Sequence, residues 1–337
     1  MKKIKVNNKV IGGDETFIIA DIGSNHKQDL ALAKESIDAA HESGADAIKF
    51  QSIQLNKLYY NPDVKTTEFI KKLEFPEEWH FELNEYCKKK DILFFSSPTY
   101  MDAVDLLEQI NVPIYKLASA QIGTFPQIVE KVAKLNKPTI FSTGISSISE
   151  ILNAVEIFEK ANNDNYMILH CNSIYPTPPE RVNLQMMKTY ESLFHHPVGF
   201  SDHTIGTHIS NTAVCMGAKI IEKHFTLDRK IDAPDSNEFA SDPREFKQLV
   251  TQIRDTESAL KVIGNRMGIE KEEKSFRDSI LYRVVSKCSI LKGEQLTSRN
   301  IEFLRSPEGF DCRDFFEKKV FSNQDLNKGQ VILNYHF

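Results

Sequence analysis

The feature that most constrains the fold is a short apolar run rich in β-branched residues, which recurs eight times along the chain. The runs are predicted strands and occupy residues 17–20, 45–50, 92–95, 113–118, 138–142, 166–170, 197–200 and 219–222. Each is followed by a stretch with room for a helix, and apolar strands that are separated by helices form parallel sheets. Eight such units in about 250 residues predict a closed (β/α)8 barrel, the TIM barrel of the α/β class. An open doubly wound sheet is the alternative, although no G-x-G-x-x-G motif follows the first strand.

Four of the intervening stretches have clear helical character, at residues 30–43, 77–90, 125–135 and 148–159. Two further details mark where helices begin. Ser147, with Glu150 three residues later, has the spacing of a capping box. Asp242, Pro243 and Glu245 supply an N-cap, a proline at the first helical position and an acid in the first turn. We therefore expect helices to begin at both places.

The character of the sequence changes after residue 262. We expect the barrel to occupy residues 1–262 and a linker to occupy residues 263–280, where residues 270–274 are all charged. Residues 281–337 have short β-prone runs and predict a small β-rich domain. A domain of this size buries too little surface to hold an active site of its own.

Composition is that of an ordinary globular protein, with 41% hydrophobic and 26% charged residues. Lys and Arg total 42 and Asp and Glu total 47, so the formal net charge of −5 argues against nucleic-acid binding. The sequence has no apolar stretch long enough to span a membrane, and MKKIKVNNKV lacks the apolar part of a signal peptide. Five widely spaced cysteines without a C-x-x-C pair argue against disulfides or a zinc knuckle. We therefore expect a cytoplasmic protein with reduced thiols and no nucleic-acid or membrane partner.

Polar side chains collect at the C-terminal ends of the predicted strands. In a parallel barrel these ends, with the loops that follow them, form the active site. The residues that we place there are Asp21, Lys49, Gln51, Ser97, Lys116, Ser119, Ser142, Ser173, Tyr175, Ser201, His203, Glu222 and His224.

Two of these residues, Lys49 and Lys116, lie in apolar strands, where an unpaired charge costs several kcal/mol. Each therefore needs an anionic partner. Salt bridges to neighbouring carboxylates would satisfy the lysines, and so would a bound phosphate, to which Ser119, Ser142 and Ser201 would also donate hydrogen bonds.

His203 and His224 end two consecutive predicted strands, which are neighbours in a barrel. Their imidazoles can share a divalent ion such as Mn²⁺ or Mg²⁺, with water and substrate completing the ligands. The alternative is that each is a hydrogen-bonded structural residue. Asp235, in the acidic loop after the last strand, either recognises substrate hydroxyls over the barrel mouth or is solvated. Arg305 precedes a turn in the small domain, a position typical of a surface residue.

Short motifs at these positions resemble those of the sialic acid synthase family, whose members make N-acetylneuraminic, pseudaminic and legionaminic acids. The matching motifs are ADIGSNH (20–26), GADAIKFQS (44–52), YKLAS (115–119), STG (142–144), HCNSIYPTP (170–178), GFSDHTIG (199–206), EKHFTLDR (222–229) and RSPEG (305–309). They follow the family's order through both domains. The resemblance implies a (β/α)8 barrel followed by an antifreeze-like (SAF) domain, which is exchanged over the partner's barrel in a homodimer.

The resemblance also implies a reaction, in which phosphoenolpyruvate and water condense with the open-chain aldehyde of a 2-acetamido sugar and phosphate leaves by C–O cleavage. It implies Asp21, Lys49 and Asp235 as catalytic residues. It implies a divalent metal with His203 and His224 as ligands. The implied metal is Mn²⁺, with Mg²⁺ or Co²⁺ as alternatives. The implied substrate-binding residues are Lys116, Ser119, Ser142, Ser173 and Ser201 for phosphoenolpyruvate, together with Gln51, Ser97, Gln121, Tyr175 and the partner's Arg305.

Two positions depart from the family pattern. The family has Glu where this chain has Asp21, and a carboxylate where it has Gln121, which is neither an acid nor a base at neutral pH. The acceptor is therefore expected to be N-acetylmannosamine or a modified relative such as a 2,4-diacetamido sugar. Two other functions remain open: another metal-dependent barrel aldolase or hydrolase, and a catalytically impaired barrel that binds sugar or phosphate.

Overall fold

The computed structural model describes residues 2–261, 268–315 and 319–334. The chain forms two compact units, Met1–Lys261 and Val262–Phe337. Of the predicted linker, residues 263–267 lie outside the described residues, whereas Lys271–Ser279 form a helix.

The first unit begins with an antiparallel hairpin of β1 (Ile4–Val6) and β2 (Lys9–Ile11). Eight parallel strands follow: β3 Phe17–Gly23, β4 Ala47–Ser52, β5 Leu93–Pro98, β6 Tyr115–Leu117, β7 Thr139–Ser142, β8 Tyr166–Cys171, β9 Val198–Asp202 and β10 Ile220–His224. Their order is β5-β4-β3-β10-β9-β8-β7-β6, and the two end strands, β5 and β6, contact each other. The sheet is thus the predicted barrel, nearly closed, and each predicted strand overlaps an observed one.

Twelve helices belong to this unit as described: α1 Leu30–Glu42, α2 Leu55–Leu58, α3 Val64–Leu73, α4 Glu77–Lys89, α5 Met101–Gln109, α6 Ser119–Thr124, α7 Pro126–Ala133, α8 Ile148–Lys160, α9 Pro179–Val182, α10 Met186–Phe194, α11 His208–Cys215 and α12 Pro243–Leu260. The predicted capping box is present at the start of α8, where Ser147 and Glu150 bond to each other's backbone. Asp242 caps α12 by accepting a hydrogen bond from the Glu245 amide. Both predicted helix starts are confirmed.

Side chains along each barrel strand alternate between two apolar layers. In β3, Phe17 and Ile19 face the barrel interior, whereas Ile18, Ala20 and Ile22 face the surrounding helices. The outer layer is mostly apolar and packs against the helices, although it also contains buried polar residues such as Asp202 and Lys223. The inner layer is apolar toward the N-terminal ends of the strands and polar toward their C-terminal ends.

The hairpin closes the N-terminal end of the barrel. Ile4, Val6 and Ile11 are buried and pack in one cluster with interior residues of the barrel strands, including Phe17 and Met167. This apolar plug leaves the opposite end of the interior as the accessible one.

The second unit contains α13 (Lys271–Ser279), α14 (Cys312–Phe315) and an antiparallel pair, β11 (Tyr282–Ser286) and β12 (Ile301–Arg305). Its core consists of Val284, Ile290, Leu296, Ile301, Phe310, Val320, Leu326 and Ile332. Across both units, the described helices are all too short or too polar to cross a membrane.

Candidate active site

A cavity of about 240 Å³ opens at the C-terminal ends of the barrel strands. The alternation of side chains explains its location, because the inward-facing residues that follow the apolar layer are polar. The predicted site residues that line it are Asp21, Lys49, Gln51, Ser97, Lys116, Ser119, Ser142, Ser173, Tyr175, Ser201, His203 and His224. The fold thus brings together residues from all eight barrel strands and their loops.

Two buried ion pairs lie at the bottom of the cavity. Lys49 Nζ is 2.5 Å from Asp21 Oδ2, and Lys116 Nζ is 2.9 Å from Glu222 Oε1. Glu222 links the two pairs, since its Oε2 lies 3.7 Å from Lys49 Nζ, and its Oε1 also accepts a hydrogen bond from Ser201 Oγ. The salt bridges that the sequence allowed for the lysines are therefore present, and they are built into the cavity itself.

The charges of this cluster stabilise one another. Burial opposes ionisation of Glu222, but Lys116 and Lys49 outweigh it and hold the pKa of that carboxyl at about 2. Burial likewise opposes the charge of Lys49, yet Asp21 and Glu222 raise the pKa of this ammonium above its usual value. For Lys116 burial dominates and lowers the pKa, with Glu222 acting against it. Two ammonium groups are thus matched by two carboxylates.

Serine hydroxyls surround the ion pairs. Ser119 Oγ and Ser173 Oγ lie 3.4 Å apart, and a Cβ atom on Gly144 would come within 2.5 Å of either oxygen. Ser97 Oγ and Ser142 Oγ are buried and have no hydrogen-bond partner among the described residues. Buried hydroxyls without partners are uncommon, so these two are available to a ligand.

His203 and His224 face each other from the ends of neighbouring strands, with ring centroids 5.4 Å apart. His203 Nδ1 is 2.7 Å from the carbonyl oxygen of Asn172. Because a carbonyl only accepts, Nδ1 carries the proton and Nε2 keeps its lone pair. Burial, with a smaller effect of His224, lowers the pKa of His203 to about 3, so the ring is neutral.

The His203 ring is therefore suited to metal binding. A neutral imidazole whose other nitrogen donates to a carbonyl is the usual form of a histidine ligand. His224 Nδ1 is buried without a partner in the described part of the chain, and its Nε2 lies 3.6 Å from Asp21 Oδ2. The described residues contain no group of three or more His, Cys, Asp or Glu that could hold a metal, so water or substrate would have to complete the ligands.

Asp235 lies beside the cavity, on the loop after β10. Its Oδ2 accepts hydrogen bonds from the amide and the hydroxyl of Ser24, each at 2.8 Å. Gly23, at φ +53°, makes this approach possible, because a Cβ atom there would lie 2.5 Å from Asp235 Oδ2. The carboxylate therefore fixes the loop to the end of β3, and its role toward substrate stays a prediction.

Two further residues, Gln121 and Arg305, are predicted to bind substrate. Gln121 is buried in α6, two residues after Ser119, and its Oε1 has no hydrogen-bond partner within the described ranges. Arg305 is exposed at the end of β12 in the second unit, where its guanidinium lies 5.5 Å from the ring centroid of Tyr282. For both residues, substrate binding remains a prediction.

The cavity lining also includes residues to which the sequence assigned no role, among them Glu222, Cys171 and Thr99. Glu222 and His224 are two residues apart on β10, and this spacing places both side chains inside the barrel. The same spacing relates Cys171 to Ser173. Burial raises the pKa of the Cys171 thiol to about 11, so the group is neutral at physiological pH.

The chain is similar to several known proteins. An uncharacterized protein of Methanocaldococcus jannaschii, MJ1065, is 43% identical over 317 residues, which cover 93% of this chain and 92% of that protein. An N,N'-diacetyllegionaminic acid synthase of Campylobacter jejuni is 39% identical over 321 residues, 90% of this chain and 94% of its own length. The crystal structure of the N-acetylneuraminic acid synthetase of Leptospira borgpetersenii, in complex with citrate, matches with a TM-score of 0.74 and 35% identity. That match covers 82% of this chain and 95% of the other.

The family profile described as "NeuB family" matches residues 36–264. This range is more than half of the chain and spans most of the barrel, including every strand end that lines the cavity except that of β3. The chain belongs to the NeuB family.

Proposed function

We propose that this protein is a nonulosonic acid synthase, an enzyme that condenses phosphoenolpyruvate and water with the aldehyde of an N-acetylated amino sugar and releases phosphate. The observation that carries the proposal is a cavity in which two lysines, several serine hydroxyls and two imidazoles converge. Family membership and the names of the similar proteins support it.

Phosphoenolpyruvate would bind through Lys116, Ser119, Ser142, Ser173 and Ser201. An ammonium group and several hydroxyls are suitable donors to a phosphate dianion and a carboxylate. The unpartnered Ser142 Oγ and the adjacent Ser119 and Ser173 hydroxyls form one side of the cavity. Lys116, on the other side of Glu222 from Lys49, supplies the charge.

The reaction requires one new C–C bond, one new C–O bond from water and three proton transfers. Carbon 3 of phosphoenolpyruvate bonds to the aldehyde carbon, and the aldehyde oxygen takes up a proton. Positive charge develops at carbon 2, and water adds there and loses one proton. The hydroxyl that remains passes its proton to the departing phosphate as the C–O bond breaks, which leaves a ketone. Lys49 can give the first proton and Asp21 can accept the second, because the two groups are hydrogen-bonded in the cavity.

His203 and His224 would hold a divalent metal, for which we propose Mn²⁺. When bound, the metal would polarise the aldehyde oxygen. The residues fit such an ion because both rings face the cavity and His203 Nε2 keeps its lone pair. The charges in the cavity also support a metal ion. Asp21 and Glu222 already neutralise the two lysines, so binding of an anionic substrate would require a further positive charge.

The acceptor is either N-acetylmannosamine or a 2,4-diacetamido sugar. The similar Campylobacter protein is named for a product with two acetyl groups, whereas the similar solved structure is named for N-acetylneuraminic acid. Asp21 and Gln121, where the family has longer or charged side chains, favour the modified sugar. The choice is therefore an experimental one between two defined substrates.

A phosphate-release assay tests the proposal. The protein is incubated with phosphoenolpyruvate, Mn²⁺ and, in turn, each acceptor, with a characterised homologue alongside and the His224→Ala variant as the metal-site control. We expect phosphate release with one acceptor and none with the variant. Turnover without phosphoenolpyruvate would indicate a different barrel enzyme. Tight phosphoenolpyruvate binding without product, while the homologue is active, would indicate a binding protein that has lost catalysis.

We also propose that the second unit is an antifreeze-like (SAF) domain that acts in a homodimer, with the partner's Arg305 contacting the sugar. Arg305 is exposed and its guanidinium has no carboxylate partner within the described residues, so it is available to a ligand.

A further inference from the structure

A fully buried ion pair lies directly behind the two histidines, on the outer side of the barrel wall. Asp202 precedes His203 on the chain and Lys223 precedes His224. The two residues are paired in register between β9 and β10, and their side chains are 0% exposed. Because side chains alternate along a strand, Asp202 and Lys223 face outward where His203 and His224 face inward. Neither Asp202 nor Lys223 lines the cavity.

The ion pair fixes the turn after His203. Asp202 accepts hydrogen bonds from the Thr204 amide at 2.7 Å, from the Ser210 hydroxyl and from Lys223 Nζ at 3.1 Å. Lys223 Nζ also donates to the Thr204 carbonyl at 2.6 Å. Both backbone groups of Thr204 are thus bound to this pair. The chain immediately after His203 is thereby held to the strand that carries His224.

The stability of the fold does not account for this arrangement. A buried ion pair commonly contributes no more to stability than apolar residues of the same volume, because desolvation of the two charges offsets their attraction. Much of the surrounding outer layer is apolar and would accommodate such residues. What the ion pair adds is a defined geometry between two strand ends.

We propose that Asp202 and Lys223 are positioning residues that set the separation and orientation of the His203 and His224 imidazoles, and through them the affinity for the divalent metal. The inference rests on the proposed function, because it assigns the two histidines to a metal. It extends that function to two residues that touch neither metal nor substrate.

The test measures Mn²⁺ binding directly, by the electron paramagnetic resonance signal of the free ion, in the full-length protein. Variants are Lys223→Met and the double variant Asp202→Leu/Lys223→Met, which replaces the pair by apolar groups. We expect Mn²⁺ affinity to fall about 10- to 100-fold in both, as with other partners behind metal ligands. Excess Mn²⁺ should restore most of kcat, since the ligands themselves are unchanged.

Lys9→Met is the matched control. It removes a lysine that pairs with Asp46 at 2.7 Å, away from the cavity, and should leave Mn²⁺ affinity unchanged. If the other variants do not fold, Ser210→Ala removes only one hydrogen bond to Asp202 and should weaken Mn²⁺ binding by about fivefold. Thermal unfolding of the metal-free proteins reports folding independently of metal.

The outcomes separate the two proposals. Failure of the wild-type protein to bind Mn²⁺ would reject the metal assignment itself. Wild-type binding with unchanged affinity in the folded double variant and in Ser210→Ala would overturn the positioning role alone. Reduced affinity that excess Mn²⁺ does not compensate in turnover would also contradict it, because the residues would then act on more than the metal.

Discussion

Gly144 leaves space in which two serine hydroxyls of the cavity come together. A Cβ atom at this position would lie 2.4 Å from Ser173 Oγ and 2.5 Å from Ser119 Oγ. Cβ atoms in proteins do not approach other heavy atoms this closely. Gly144→Ala should therefore displace both hydroxyls and raise the KM for phosphoenolpyruvate at least tenfold, roughly the loss of one charge-assisted hydrogen bond. Steady-state kinetics at saturating acceptor would measure this effect.

Gly13→Ala is a suitable control for this prediction. Its Cβ atom would meet nothing closer than 3.4 Å, and the residue lies near the N-terminal hairpin rather than at the cavity. The control should leave the KM unchanged. An unchanged KM in Gly144→Ala as well would mean that Ser119 and Ser173 do not bind phosphoenolpyruvate.

Individual site residues can be found from sequence, but their partners cannot. Lys49 and Lys116 stand out because charges are rare in apolar strands. The partner of Lys116 is Glu222, 106 positions away on β10. β6 and β10 are not neighbours in the sheet, so the contact exists only because the barrel curves round on itself. For this reason, the sequence alone does not show that Glu222 is the partner of Lys116.

The N-terminal hairpin acts as an element that seals the barrel. Ile11 is 0% exposed and packs with interior strand residues, whereas Val10, the preceding residue of β2, is 48% exposed. Ile11→Ala should lower the free energy of unfolding by about 2–5 kcal/mol, the range for buried aliphatic truncations. Val10→Ala, on the opposite face of the same strand, should change it by about 0.5 kcal/mol or less. Urea unfolding of both variants provides the measurement, and equal effects would show that the hairpin is not a structural seal.

The eight barrel strands could be predicted and the hairpin could not. Each barrel strand is an apolar run between helical stretches, so composition and order identify it. β1 and β2 have three residues each, too few to show alternation. Their apolar side chains are buried because they pack against the barrel interior, which the sequence does not reveal. The helices α2 and α3, between β4 and α4, were likewise not predicted, since α3 buries only Ile70 and its sequence is mostly polar.

Buried histidines make the stability of the whole barrel depend on pH. Burial lowers the pKa of His26 to about 4, against a smaller opposing effect of Asp235, and lowers that of His80 to about 4 as well. The unfolded chain binds protons at these residues from about pH 6.5 downward, whereas the folded chain does so only near pH 4. The contribution of these two histidines to stability is therefore fully present above about pH 6.5 and is lost as the pH falls toward 4.

His26→Phe tests this linkage at a site already surrounded by Phe50, Phe75 and Trp79. The difference in unfolding free energy between pH 7 and pH 5 should shrink by about 2 kcal/mol in this variant. Urea unfolding, monitored through Trp79, the single tryptophan of the chain, measures the difference. The exposed His41 provides the control, since His41→Asn should leave the pH dependence nearly unchanged.

If the protein is the proposed homodimer, each active site contains residues from two chains, and two impaired variants can complement each other. Arg305→Ala should raise the KM for the sugar, and His224→Ala should abolish turnover. If Arg305 acts on the partner's barrel, a heterodimer of the two variants has one site with an intact His224 and an intact Arg305 from the other chain. Coexpression should then restore activity at low sugar concentration beyond the sum of the separate variants. If Arg305 acts on its own barrel, every site in the mixture carries one of the two defects, and coexpression restores nothing.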